Sequence, residues 1–296
     1  MLTRISSSGL ALALAACSPT APAAQPAAPE TAVAAPADPV KLELTWRLSG
    51  LANPESTALS ANGAFLYVTN VNGEGEAKDG NGFISKVSTD GKMIARNWAS
   101  GFDGPKGIAR DGSTLYVADI TQLVAVNVDT GAVISRTPLE GSVFLNDATV
   151  APDGRVLVAD SGTKRIYAVK DGKPSIWIED DLLASINGLL PEPSRLIATT
   201  MAGRLLAIDY ATAKINVLAE GLGDADGIAP LDSGRYLVSE WPGLMHVVSP
   251  DGSHANIMDT RSEKRLLNDF LLVGDTLYQP HWDPGEISAY RVTGAP

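Results

Sequence analysis

The chain of 296 residues carries a single cysteine, so no intramolecular disulfide and no cysteine-built zinc site can form. Its three histidines leave little room for a histidine-rich transition-metal centre. Basic residues are scarce: 23 Lys plus Arg stand against 34 Asp plus Glu, a net charge of −11. That balance argues against the basic face with which proteins meet nucleic acid or anionic lipid, so no nucleic-acid partner is expected. Neither a Gly-Xaa-Ser-Xaa-Gly elbow nor a phosphate-binding glycine-rich loop occurs, which removes α/β-hydrolases and nucleotide enzymes. What is abundant is turn chemistry: 28 Gly and 19 Pro favour many short elements over long helices.

The amino terminus reads as an address. Met1-Leu-Thr-Arg4 is short and basic, and Ile5 to Ala16 is small and apolar, too short to span a bilayer and matched to a signal-peptide core. Residues 1–16 are therefore expected to be a lipoprotein signal peptide. Leu14-Ala15-Ala16-Cys17 resembles a bacterial lipobox, in which cleavage precedes a lipid-modified cysteine, and the sole cysteine of the chain sits at that position. The alternative is an ordinary secretory signal with an incidental cysteine. Residues 17–39 follow as a tether; between 18 and 39 lie nine Ala and six Pro, a composition that builds no core and favours polyproline II. At ~3.1 Å per residue it would reach roughly 70 Å. The expected location is the bacterial cell envelope, periplasm-facing and held to the membrane only through a lipid anchor, or else secreted.

Residues 40–296 are expected to form one domain, because four signals recur in order six times between 50 and 292. The first is a short apolar segment opened by a polar residue, as in Leu145-Asn146-Asp147-Ala148-Thr149-Val150 or Ala225-Asp226-Gly227-Ile228-Ala229. The second follows a tight turn, as in Leu115-Tyr-Val-Ala-Asp119 and Val156-Leu-Val-Ala-Asp160. A third, alternating segment (Leu123–Val128, Leu205–Ile208) and a fourth (Met93–Trp98, Val133–Pro138) complete each unit. Period-two segments bounded by Asp-Gly turns are antiparallel strands. Four strands per unit of about 40 residues is the spacing of a β-propeller. The sixth unit lacks its fourth strand, and Val40–Leu48, which alternates and precedes unit one, is the natural donor. The predicted fold is all-β: a six-bladed propeller of four-stranded antiparallel blades, its last blade closed by the N-terminal strand, which removes an open edge.

The innermost strand of each blade lines a central channel, so equivalent positions form a ring. Aligned first strands give Glu55, Lys106, Asn146, Asn187, Asp226 and Asn268, spaced 51, 40, 41, 39 and 42 residues apart. The ends of the second strands give Asn70, Asp119, Asp160, Thr200, Glu240 and His281, expected as a second, shallower ring. Carboxylates at Glu55 and Asp226 with amides at Asn146 and Asn187 offer hard oxygen ligands to one divalent cation, Ca²⁺ before Mg²⁺ or Mn²⁺. Left without a cation, such a ring buries charge at a cost. The competing reading is that these residues only open strands and bond backbone.

The order Glu55, Leu145-Asn146-Asp147, Ile186-Asn187-Gly188, Ala225-Asp226-Gly227 in blades one, three, four and five resembles the senescence-marker-protein, gluconolactonase and luciferin-regenerating-enzyme family, and is similar to diisopropylfluorophosphatase and the paraoxonases. The resemblance spans about residues 45–292. It implies a calcium-dependent hydrolase of lactones, aryl esters or organophosphates, with Glu55, Asn146, Asn187 and Asp226 on the metal and Asp226 activating water or attacking directly. Three departures stand out. Lys106 brings a positive charge to the ring, either paired with Asp119 or Asp160 or holding a substrate carboxylate or oxyanion. Ala229 occupies the position of an acid that holds a second calcium in some members. Asn268-Asp269 in blade six adds Asn268 as a further ligand. His281, placed on the rim beside Trp282, is the candidate proton relay, and Glu240-Trp241 a wall of the mouth. The expected partner is a small-molecule ester or lactone. The alternative is a non-catalytic propeller lipoprotein that binds a partner or ligand and holds a structural metal.

Overall fold

The computed structural model describes residues 39–294; the expected signal peptide, Cys17 and almost all of the expected tether lie outside the described residues. Among the described residues are 24 strands in six four-stranded antiparallel sheets, with three single-turn 3₁₀ segments at Asp181–Leu183, Asp232–Gly234 and Arg261–Glu263. No helix among them is long and apolar enough to cross a membrane.

Each sheet is one blade, and in five of the six its strands run in sequence order from the channel outward. Blade two shows the pattern: Pro105–Asp111 innermost, then Thr114–Asp119, Gln122–Asn127 and Val133–Pro138. The sixth is assembled from both ends of the domain, as the missing strand predicts. Leu271–Val273, Thr276–His281 and Glu286–Thr293 come from the C-terminal end, and Lys41–Ser49 pairs antiparallel with Glu286–Thr293 from Lys41↔Thr293 to Ser49↔Glu286.

The burial pattern explains the hydrophobic spelling of the strands. A middle strand has another blade against each face, so Val156–Asp160 (VLVAD) is buried at every residue, and runs of apolar residues are the consequence. An outermost strand such as Val133–Pro138 faces solvent and is exposed along most of its length. There is no single core. Six apolar clusters lie between successive blades instead; Leu157, Ile166 and Leu196 join blades three and four, and Leu66, Val68 and Ile287 join blades one and six. Every outermost strand pair also carries a register shift, a device that bends an edge away from strand addition.

The closing strand should therefore decide whether the domain folds. A chain starting at Pro39 is expected to melt in one cooperative step at the temperature of the full chain. A chain starting at Gly50 is expected to lose that transition or to aggregate, as read by circular dichroism and light scattering. Equal melting of the two would show that the blade closes without Lys41–Ser49.

Candidate functional site

The site is built by one defect repeated around the channel. In blade one Pro54 pairs with Asn70 and Thr57 with Val68, so Glu55 and Ser56 together oppose the single residue Thr69. The same bulge falls at Lys106-Gly107, Asn146-Asp147, Asn187-Gly188 and Asp226-Gly227. A bulge re-aims a side chain and leaves a backbone N–H without a ladder partner. In blades one, four and five a hydroxyl from the second strand supplies that partner: the Ser56 N–H donates to Thr69 Oγ1 (3.0 Å), Gly188 to Thr199 Oγ1 (2.9 Å) and Gly227 to Ser239 Oγ (2.8 Å). The Thr199 and Ser239 hydroxyls then donate to the backbone carbonyls of Asp226 and Asn268, the ring residues of the following blade. In blade six the strand proper begins only at Leu271. There the Gln279 side-chain amide donates to the carbonyls of Asn268 (3.1 Å) and Asp269 (3.4 Å).

All six first-ring residues are buried and line one cavity of about 260 Å³, under a cuff of Phe144, Met201, Trp241 and Trp282. Glycine follows the ring residue where space is tightest. A Cβ on Gly188 would collide with the Asp226 carbonyl oxygen, and one on Gly107 with the Asp147 carboxylate. The residues one step along, Asp147 and Asp269, were not marked as functional from the sequence. They lie deeper in the channel, where Asp147 accepts the Leu189 N–H (2.6 Å) and Asp269 bonds Ser56.

Four carboxyl groups thus share a channel with one ammonium. Burial, reinforced by the neighbouring Asp226, raises Glu55 well above the usual carboxylate range. Burial and then Asp269 raise Asp147 in the same way. Asp226 is pushed up to about 8, by burial first and Asp269 second, with Asn187 and Lys106 pulling it back. Asp269 is pushed to about 6 by burial. Burial also lowers the Lys106 ammonium from its ordinary value. Three buried oxygens of the ring accept no hydrogen bond among the described residues: Glu55 Oε2, Asp226 Oδ1 and Asn268 Oδ1. The Asn146 amide nitrogen donates to Ser161 Oγ (3.3 Å), which leaves its oxygen free for the channel. No three His, Cys, Asp or Glu side chains among the described residues converge as a ligand group. A cation in this cavity would draw on the amide oxygens of Asn146, Asn187 and Asn268 beside the Glu55 and Asp226 carboxylates, an all-oxygen donor set suited to a hard ion.

Lys106 pairs with neither Asp119 nor Asp160. Its Nζ donates to the Gly75 carbonyl (3.0 Å) and lies 4.7 Å from the Phe144 ring centroid and 5.8 Å from that of Trp282. The expected second ring is absent from the cavity wall, because the ends of the second strands turn into the blades. Asp119 accepts the N–H groups of Asp103 (2.9 Å) and Gly104 (2.8 Å), and Asp160 those of Val143 (3.1 Å) and Phe144 (2.9 Å). Asn70 Oδ1 accepts that of Ala52 (2.9 Å). Each clamps the segment that leads into its own blade's ring residue. Glu240 is tied to His246 at 2.6 Å, so only its neighbour Trp241 forms the expected wall. His281 is not on the rim. It is fully buried, with Nε2 3.0 Å from Ser288 Oγ, and burial together with the Arg265 and Arg47 charges lowers it to about 3.

The fold is similar to that of virginiamycin B lyase from Staphylococcus aureus (TM-score 0.62, 13% identity, covering 86% of this chain and 99% of that one). It is also similar to a streptogramin B lyase (TM-score 0.61, 12% identity, 87% and 98%). A catalytically inactive variant of the S. aureus lyase, crystallised with quinupristin, aligns with TM-score 0.58 at 12% identity, over 86% and 99%. No protein-family model matches the chain, and no curated protein matches its sequence. At these identities the likeness establishes the six-bladed propeller.

The His281 environment generates a prediction about acid stability. A histidine whose folded pKa lies below its ordinary value stabilises the fold fully above about 6.5, and that contribution drains away as pH falls toward the folded value. Melting temperatures measured from pH 7 down to pH 4 should fall less steeply in His281→Gln than in the unaltered chain. Parallel curves would mean that the imidazole is not held neutral.

Proposed function

We propose that the channel mouth is the active site of a calcium-dependent hydrolase that opens lactones or related small esters, carried on a protein anchored through Cys17 to the bacterial cell envelope. The observation that carries the reading is the set of three unpartnered buried oxygens, Glu55 Oε2, Asp226 Oδ1 and Asn268 Oδ1, at the polar floor of an apolar-walled cavity. A scaffold gains nothing from buried acceptors that bond nothing. The ligands would be Glu55, Asn146, Asn187, Asp226 and Asn268, and the chemistry such an ion supplies is Lewis-acid polarisation of the scissile carbonyl.

The chain's own residues do the rest. Phe144, Met201, Trp241 and Trp282 take up the apolar body of the substrate and keep bulk water from the floor. Asp226 Oδ1 accepts a proton from the attacking water as its oxygen bonds to the carbonyl carbon. When the ester C–O bond breaks, the same carboxyl returns that proton to the departing alkoxide, so Asp226 ends as it began. Direct attack by the Asp226 carboxylate is the covalent variant of this route. His281, buried at the end of the sixth blade's second strand, takes no part.

A second reading has a specific motive: the structural neighbours are named as lyases. In that chemistry Asp226 would take a proton from carbon, and the ring would open by elimination. Product mass separates the two, since hydrolysis adds one water and elimination adds nothing.

The full chain should hydrolyse aryl esters or lactones with Ca²⁺ and stop with chelator, and Asp226→Asn should lower turnover by about 10²-fold or more with the fold intact. Survival of most activity in Asp226→Asn would contradict the role given to that carboxylate. Tight Ca²⁺ binding without turnover on any ester would leave a binding propeller with a structural metal.

A further inference from the structure

Lys106 is the one cationic member of the ring, and nothing in the proposed reaction uses it. It is 2% exposed and lines the cavity beside Glu55. Its only side-chain hydrogen bond among the described residues is to the Gly75 carbonyl, and no carboxylate lies within the 4.0 Å of an ion pair. An ammonium has three donors, so two remain unused. The aromatic faces of Phe144 and Trp282 flank it and hold it in place without consuming a donor. Propeller geometry sets blade two opposite blade five, so Lys106 and Asp226 face each other across the cavity.

Charge then limits what the cavity accepts. Glu55 and Asp226 bring two negative charges and Lys106 one positive. A dication held by those two carboxylates would balance them and leave the Lys106 ammonium without a counter-charge in the ring, while Asp147 and Asp269 are engaged deeper in the channel by the Leu189 N–H and the Ser56 hydroxyl. A buried ammonium with two free donors is complementary to one anionic group. The apolar cuff above it suits a compact aromatic or aliphatic body.

We propose that Lys106 is a specificity residue, and that the substrate is a lactone or ester bearing its own carboxylate, which Lys106 binds between Phe144 and Trp282. The inference rests on the channel mouth being the substrate site. It assigns Lys106 to substrate choice rather than to the reacting atoms.

The test compares benzoate with its neutral isostere benzamide. Tryptophan fluorescence of the full chain follows binding, because Trp241 and Trp282 both line the cavity. In the Ca²⁺-loaded protein benzoate should bind at least about tenfold more tightly than benzamide, the scale of one charge-assisted contact. Lys106→Met should erase that preference while leaving benzamide binding unchanged, and Lys106→Arg should restore it. Equal binding of the two probes to the unaltered chain would overturn the proposal, and that arm does not depend on any variant folding. A preference that survives Lys106→Met would also overturn it, since the anion would then be held by the cation alone. Ester turnover is measured separately. Turnover without a benzoate preference sinks the anion claim and spares the hydrolase, whereas a Lys106-dependent preference without turnover does the reverse.

Discussion

The two-against-one bulge at the start of the innermost strand in blades one to five is the constraint on which this site depends. A regular strand would alternate its side chains between the two neighbouring blades. The bulge turns the ring residue of each of these five blades into the channel instead, and Asn268, just before the short first strand of blade six, completes the six. The freed backbone N–H would be a buried orphan without a hydroxyl on the opposing strand. Thr69, Thr199 and Ser239 supply it in blades one, four and five. Because the Thr199 and Ser239 hydroxyls also reach the carbonyl of the next blade's ring residue, the relative placement of Asn187, Asp226 and Asn268 is fixed by hydrogen bonds as well as by packing.

Against that rigid frame the electrostatics are unfavourable for the protein alone. Glu55, Asp147, Asp226 and Asp269 are all raised, chiefly by burial and in most cases by one another. Lys106 offsets this only in part: its charge pulls Glu55 and Asp226 back, but it is itself desolvated and bonded to a carbonyl. A group of like charges held together in low dielectric is stabilised by a cation of opposite sign. The amides on the ring add neutral oxygens that complete a shell without adding charge. The proposed hard ion would meet both the unpartnered oxygens and the clustered carboxyl groups.

Much of this was legible in the sequence, for physical reasons that also mark where the reading failed. The period of about 40 residues and the alternation within it reflect strands buried between blades, so the six blades and the donated strand Lys41–Ser49 follow directly. The ring residues were visible because each polar letter interrupts an apolar run at the same point. Asp147 is not marked by the sequence because the bulge presents two consecutive residues to the channel and a period-two reading admits only one; Asp269 lies before the short first strand of blade six, outside any alternation. The ends of the second strands were misplaced for a related reason. Asp119, Asp160 and His281 sit where alternation reverses, and each turns into its blade to bond backbone or a hydroxyl. The cuff was only partly foreseen, since Phe144, Met201 and Trp282 lie in separate connecting loops and meet only in three dimensions.

The central claim is that the channel mouth holds one hard cation on Glu55, Asp226 and the ring amides. Isothermal titration of the chelator-stripped full chain with Ca²⁺ at pH 7, repeated in buffers of different ionisation enthalpy, tests it most directly. The account predicts one site per chain, with proton release on binding, because a carboxyl held near 8 must give up its proton to become a ligand. Glu55→Gln should weaken that site by about tenfold or more. Absence of binding by the stripped chain, or binding untouched by Glu55→Gln, would contradict it.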